Sequence, residues 1–328
     1  MNFHNIYIEE EIRNSEETKK ILNNINYENI ITCKNYKEIF NPKNQNFRIQ
    51  KLNPSIILAQ KKQNLILETP KNFSIGYKKN FYFSHMFNCM FDCKYCFLQG
   101  MFNSANFVIF VNFSDFLKKI KEITNNTNGE ICFFSGYDCD SLAFERITGF
   151  TDFFLKNFDN IHNAFLEIRT KSINIGFLKK IKALKNVIIA FSLNPQEIIN
   201  KFETKTPSLD KRLAAIHSLQ KIGWNIGLRF DPIILIENYM RHYNVFFKKI
   251  FDSLDRKKIH SITLGNFRMP KSYLKKMLKN QPNNSFLLTN YLHQLEKSDK
   301  QNKYKKTAIN FCFNEIKKYT DEKKIFLN

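Results

Sequence analysis

HMFNCMFDCKYCFLQG, residues 85–100, holds three of the chain's seven cysteines, Cys89, Cys93 and Cys96, on one short stretch. Their spacing is C-x3-C-x2-C, with no fourth cysteine beside them. Thiolates spaced this way on one loop can hold three irons of a [4Fe-4S] cube and leave the fourth iron open, whereas a full set of four cysteines makes a closed electron carrier. A structural zinc site made of the three cysteines and His85 is the chemical alternative, although the C-x2-C knuckle usual for zinc occurs only between Cys93 and Cys96. An unliganded trio is the poorest reading, because clustered thiols on a loop oxidise.

Short β-rich runs flank this stretch in both directions. NFYFSH precedes it, and ICFF (131–134), AFLEIRT (164–170), VIIAFSL (187–193), IGLRFDPI (226–233) and HSITLGNF (260–267) follow. Between them SDFLKKIKEI, ITGFTDFFLKNF, INIGFLKKIKAL, LDKRLAAIHSLQKIG and YNVFFKKIFDSL place apolar residues at helical spacing. Strand-helix alternation implies a parallel sheet with right-handed crossovers. About six strands are fewer than the eight of a closed barrel, so the expected fold is α/β, an open partial (β/α)6 barrel. Ligands of such sheets gather at the carboxyl ends of the strands, where the cysteine loop falls directly after the first strand. Neither GxGxxG nor GxxxxGK[ST] occurs, which removes a dinucleotide fold and a P-loop. Residues 1–75 read as a mixed N-terminal extension, 76–270 as the barrel, and 271–328 as a helical C-terminal extension ending in an apolar IFL.

The 328 residues are 43% hydrophobic, enough for a sizeable core. A net charge of +21 fits a nucleic-acid partner, since lysine and arginine release counterions from phosphates. The lysines are nevertheless spread along the chain, and the Asn, Ile and Phe content is the bias of an A+T-rich genome, so a solvated basic surface fits equally. The first residues lack the basic start and apolar run of a secretory signal, and no run is long enough to span a bilayer. A cytoplasmic location, with reduced thiols, is the expectation.

C-x3-C-x2-C with Tyr95 before its last cysteine resembles the signature of radical S-adenosylmethionine (SAM) enzymes, and CKYCFLQG is similar to the spore photoproduct lyase family. The resemblance continues through FFSGYDCDSLAFERITG, TKS at 170–172, SLNPQEIINKFETKTPSLDKRLAAI, GWNIGLRFDPI and EIKKYTDEKKIFL, and upstream through EIFNPKNQNFRIQKLNPSIILA, which is similar to members from outside spore formers. It implies a radical SAM fold and a [4Fe-4S] cluster on Cys89, Cys93 and Cys96 whose open iron chelates SAM. It also implies SAM contacts from Asp140, Lys171, Ser192 and Asn194, and cleavage of a thymine-derived DNA lesion.

A 5′-deoxyadenosyl radical would remove hydrogen from the lesion, and a reduced carrier such as flavodoxin or ferredoxin would supply the electron. The family's hydrogen-donor cysteine aligns with Tyr137 here, with Cys139 two residues on, and its tyrosine after the last cluster cysteine is Phe97. Tyr137, Cys139 and Tyr95 are therefore the candidate catalytic residues. Two rival readings stand beside this one: the same scaffold acting on another nucleic acid or a small metabolite, and a zinc-stabilised nucleic-acid-binding module. Elsewhere, Arg229 and Asp231 face the cavity or pair with each other, Glu203 and Arg212 form a structural ion pair, and His217 lies on a helix face.

Overall fold

The computed structural model describes residues 2–70, 73–296 and 299–328. Six strands form in sequence: β1 (Lys79–Phe83), β2 (Ile131–Ser135), β3 (Ala164–Thr170), β4 (Val187–Ser192), β5 (Asn225–Ile233) and β6 (Ile259–Asn266). Each pairs in parallel with the next. ICFFS and VIIAFS are buried along their whole length, as expected of parallel strands covered on both faces. Leu67–Glu68 pairs antiparallel with β1, and Ile325–Leu327 pairs in parallel with β6, giving an eight-stranded sheet with two free edges. The partial barrel is thus observed, and the terminal IFL is its last strand.

Amphipathic helices cover the outer face. Phe113–Asn125 buries Phe116, Leu117, Ile120 and Thr124, the three- and four-residue spacing of one helix face. Between β2 and β3 the pattern splits into Glu145–Thr148 and Phe150–Phe158, because Gly149 takes a left-handed conformation. Leu209–Ile222 is capped by Ser208 and ends at left-handed Gly223, and Tyr239–Ser253 joins β5 to β6.

INIGFLKKIKAL, expected to be helical, runs instead as turns between β3 and β4. Ser172 Oγ accepts from Asn174 N, and the Asn174 amide donates to the carbonyls of Leu142 and Ala143. Those side-chain bonds hold the segment in a non-helical path while Ile175 and Leu178 fill the core. Within the C-terminal extension expected to be helical, Ser285–Glu296 is a helix; residues 297 and 298 lie outside the described residues.

A second sheet has the order Asn26–Cys33, Asn2–Glu9, Ile56–Ala59, Phe107–Phe110, Met86–Phe87. Its last two strands come from beyond residue 75, so the N-terminal segment and the chain around the cysteine loop share one sheet. The helices Lys271–Asn280, Ser285–Glu296 and Asp299–Lys317 follow β6.

The barrel interior is not wholly apolar. Arg229 on β5 pairs with Glu167 on β3 at 2.7 Å, both side chains fully buried, and also donates to Ser261 on β6. Arg229 does not pair with Asp231, whose carboxylate lies 3.7 Å from Arg268. Arg229→Met should lose about 3–5 kcal/mol of stability, because it removes the main partner of a buried carboxylate. Adding Glu167→Gln should recover part of that loss; urea denaturation of the two variants makes the comparison.

Candidate functional site: a three-cysteine loop at the barrel mouth

The chain leaves β1 at Ser84, forms the short Met86–Phe87 strand and reverses at left-handed Asn88. The Asn88 amide donates to the carbonyls of Ser104 (2.8 Å) and Asn106 (2.7 Å), which anchors the turn. Asp92–Cys93 then pairs antiparallel with Glu203–Thr204, and Lys94 N donates to Phe202 O at 2.7 Å. Cys89, Cys93 and Cys96 all lie on the segment so fixed, with free thiols. Burial pushes the thiol of Cys89 up to about 12 and that of Cys93 well above its ordinary value. Loading a metal here would therefore release protons.

Ligands of a single zinc stand ~2.3 Å from the ion and hence ~4 Å from one another. Among the described residues no three His, Cys, Asp or Glu side chains gather that way. His85, the expected fourth zinc ligand, stacks face to face on Phe150 at 3.6 Å and has Cys139 Sγ at 4.0 Å. Burial, and then the nearby Lys61, pull its pKa down to about 3. His85 is thus engaged by Phe150 and Cys139 and not as a fourth ligand beside the three cysteines.

Glu203 stands directly behind the loop. Its carboxylate accepts from the Tyr95 hydroxyl, from Asn194 Nδ2 at 2.9 Å and from Arg212 at 2.6 Å. The Glu203–Arg212 pair is fully buried and structural. Tyr95 is buried too, and its hydroxyl, bound inside this network, ties the loop to Glu203 and Asn194.

Lys171, at the end of β3, reaches over the Tyr95 ring with its ammonium 5.9 Å from the centroid. Burial disfavours its charge, but Glu203 and Cys93 outweigh burial and raise its pKa. No carboxylate lies within ion-pair distance of it among the described residues. Asn194 Oδ1 is likewise buried without a partner. Ser192 ends β4 beside it, its carbonyl accepting from Arg212 at 3.0 Å. Three thiols, an unpaired cation and an orphaned amide oxygen suit a cluster that chelates an amino acid.

Asp140, also expected as a cofactor contact, is occupied otherwise. Its oxygens accept from the backbone of Leu142, Ala143 and Lys171 and from the Thr170 hydroxyl. It braces the β2 loop against the end of β3 and so positions Lys171.

Tyr137 and Cys139 diverge from left-handed Gly136, where a side chain would strike Ser141. Tyr137, 43% exposed, packs on Tyr82 at 4.4 Å and on Phe97 at 5.8 Å. Cys139 turns inward to His85. Arg268 is exposed near Tyr137, and Arg169 lies over Phe73 at 5.4 Å. His217 is exposed on its helix. A cavity of about 600 Å³ opens at the carboxyl ends of β5 and β6, lined by Ile233, Asn266, Phe267, Phe286 and, next to Glu203, Phe202. This cavity, the 2.6 Å bond from Lys51 to Cys89 O and the 3.3 Å pair of Arg48 with Asp92 had no sequence signal, since only the folded chain brings them there.

A partial barrel presenting C-x3-C-x2-C after its first strand defines the radical SAM fold. The chain belongs to the spore photoproduct lyase family, whose model matches residues 4–324. It is 27% identical over 197 residues to the spore photoproduct lyase of Clostridium acetobutylicum, covering 60% of this chain and 58% of that protein. It is 26% identical over 198 residues to that of Bacillus subtilis (strain 168), covering 59% and 58%. The matches thus span under two thirds of these curated relatives. Among solved structures, spore photoproduct lyase complexed with dinucleoside spore photoproduct aligns over 86% of this chain and 83% of its own, with TM-score 0.72 and 20% identity. A double mutant with bound AdoMet and dinucleoside spore photoproduct aligns over the same shares, with TM-score 0.72 and 19% identity. These likenesses establish the shared fold.

Because His85 is neutral when folded, it lowers stability as protons bind the unfolded chain instead. Its contribution is complete above pH 6.5 and is lost as pH falls toward about 3, by up to ~1.4 kcal/mol per unit. Urea denaturation from pH 7 to 4 should show a shallower loss for His85→Gln than for the unchanged protein.

Proposed function

We propose that the protein is a radical SAM lyase that cleaves a thymine-derived DNA lesion. The observation that carries this reading is the unpaired ammonium of Lys171, aimed at a C-x3-C-x2-C loop on the barrel's carboxyl rim. Cys89, Cys93 and Cys96 would hold a [4Fe-4S] cluster, and Lys171 would pair with the methionyl carboxylate of SAM. Asn194 Oδ1 offers an acceptor for a donor of the same ligand, with Ser192 beside it. When bound and reduced, the cluster and SAM would supply the radical chemistry that abstracts the C6 hydrogen of the lesion and so lets the methylene bridge between the two thymines break.

The chain's own part is to hold the lesion and return a hydrogen. Tyr137 offers an exposed ring for stacking, and Arg268 a cation for a phosphate at the mouth. The relatives' name and the dinucleoside spore photoproduct in the similar structures support the substrate. A lesion must leave the duplex to reach this rim. Cys139 and Tyr137 are the two candidate hydrogen donors. The electron would come from a reduced flavodoxin or ferredoxin, and reduced thiols suit a cytoplasmic setting. No helix among the described residues is long and apolar enough to cross a membrane.

Anaerobic reconstitution with iron and sulfide should yield a brown protein absorbing near ~400 nm, as iron-sulfur clusters do. With dithionite and SAM it should form 5′-deoxyadenosine, and with dinucleoside spore photoproduct it should release thymine. Formation of 5′-deoxyadenosine without thymine would sink the substrate and leave the scaffold acting on another nucleic acid or a metabolite. Lys171→Ala should weaken SAM binding by roughly 10- to 100-fold, the loss of a charge-assisted contact of ~1.5–3 kcal/mol. If Cys139 is the donor, Cys139→Ala should stop clean thymine formation while hydrogen abstraction continues; normal release would leave Tyr137.

A further inference from the structure

We infer that Lys51 sets the reduction potential of the cluster, an inference that rests on the function proposed above. Lys51 belongs to the helix Phe47–Leu52, in the segment N-terminal to the barrel, and is 6% exposed. Its ammonium donates to the carbonyl oxygens of Cys89 (2.6 Å) and Phe91 (3.3 Å) and lies 5.7 Å from the Phe107 ring centroid. No carboxylate stands within ion-pair distance of it among the described residues.

A buried cation held only by carbonyls and a ring face is expensive unless a negative charge completes its surroundings. The protein's own anions near the loop are otherwise engaged. Asp92 meets Arg48 and Gln99, Asp140 is bound by backbone amides, and Glu203 is bound by Arg212. The anionic groups left for Lys51 are those of the cysteine loop whose carbonyls at Cys89 and Phe91 it already binds. Lys171 is the second cation facing the loop and is the one placed for a ligand; Lys51 is enclosed behind the loop.

A cube held by three thiolates gains one unit of negative charge on reduction. A fixed ammonium on the ligand-bearing backbone would stabilise that reduced state more than the oxidised one through its charge. Lys51 therefore makes the cluster easier to reduce. It is a positioning and tuning residue and touches no substrate.

The test is a potentiometric titration followed by electron paramagnetic resonance, on reconstituted protein without substrate, comparing the unchanged chain with Lys51→Arg, Lys51→Gln and Lys51→Met. Iron content near about four per chain identifies the molecules that count. Lys51→Gln and Lys51→Met should move the midpoint negative by at least a tenfold loss of reduced cluster at fixed potential, ~59 mV for one electron. Lys51→Arg should retain most of the original value. A full-iron Lys51→Gln protein with an unchanged midpoint overturns the inference, as does a shift equally large in Lys51→Arg, which would mean local packing and not charge. Should Lys51→Met fail to fold, the Gln and Arg pair decides alone. An unchanged chain that takes up no cluster would instead overturn the proposed function.

Discussion

The Glu203 carboxylate ties the cysteine loop to the barrel. It is buried, yet it meets Arg212 from the helix Leu209–Ile222, Asn194 from the end of β4, and Tyr95 from the loop itself. Its own backbone pairs with Cys93. Burial would raise its pKa, but Lys171 and Arg212 overcome that and bring it down to about 2. Taking one charge out of the network would leave the others buried without compensation, which is why so much of the rim depends on this residue.

A loop with little regular structure must have its backbone polar groups satisfied from elsewhere. Here the partners arrive from both ends of the chain. Arg48 reaches Asp92, and Gln50 accepts from Ser104 and Ala105, so a helix before the barrel straps the loop from one side. From the other side Lys276 donates to Phe102 O at 2.6 Å, and Gln281 donates to Gln99 Oε1 at 2.6 Å. Gly100 lets the helix Lys271–Asn280 come this close, since a Cβ there would stand 2.6–2.8 Å from Tyr273. The extensions that read as additions to a barrel are thus the clamps that shape its site.

That difference shows what local sequence carries. AFLEIRT is a strand over the same residues read from its apolar β-branched pattern, and Cys89, Cys93 and Cys96 announce their chemistry by spacing alone. INIGFLKKIKAL has a helical period, but Ser172 just before it accepts from Asn174 N and the Asn174 side chain binds the distant carbonyls of Leu142 and Ala143, which the period does not reveal. NFRIQKL carries no helical signal of its own, because a helix as short as Phe47–Leu52 has too few turns to show a period and its value lies in contacts to residues far along the chain. Tyr95 shows the same limit: its place in the signature does not reveal that its hydroxyl meets a buried Glu203 carboxylate.

The remaining tension is between Tyr137 and Cys139. Two residues apart on a strand they would face the same way, but the left-handed turn at Gly136 sends them apart. The phenol stays at the mouth against Tyr82 and Phe97, where it can meet a base but competes with water. The thiol points inward, and burial, with Cys89 and Asp138 adding to it, holds its pKa well above the ordinary value, so its S–H is retained. Hydrogen-atom donation needs that bond intact and close to the radical. On the proposed function, then, a division of labour fits the geometry better than substitution of one residue for another: Tyr137 holds the lesion at the rim, and Cys139 returns hydrogen from beneath it.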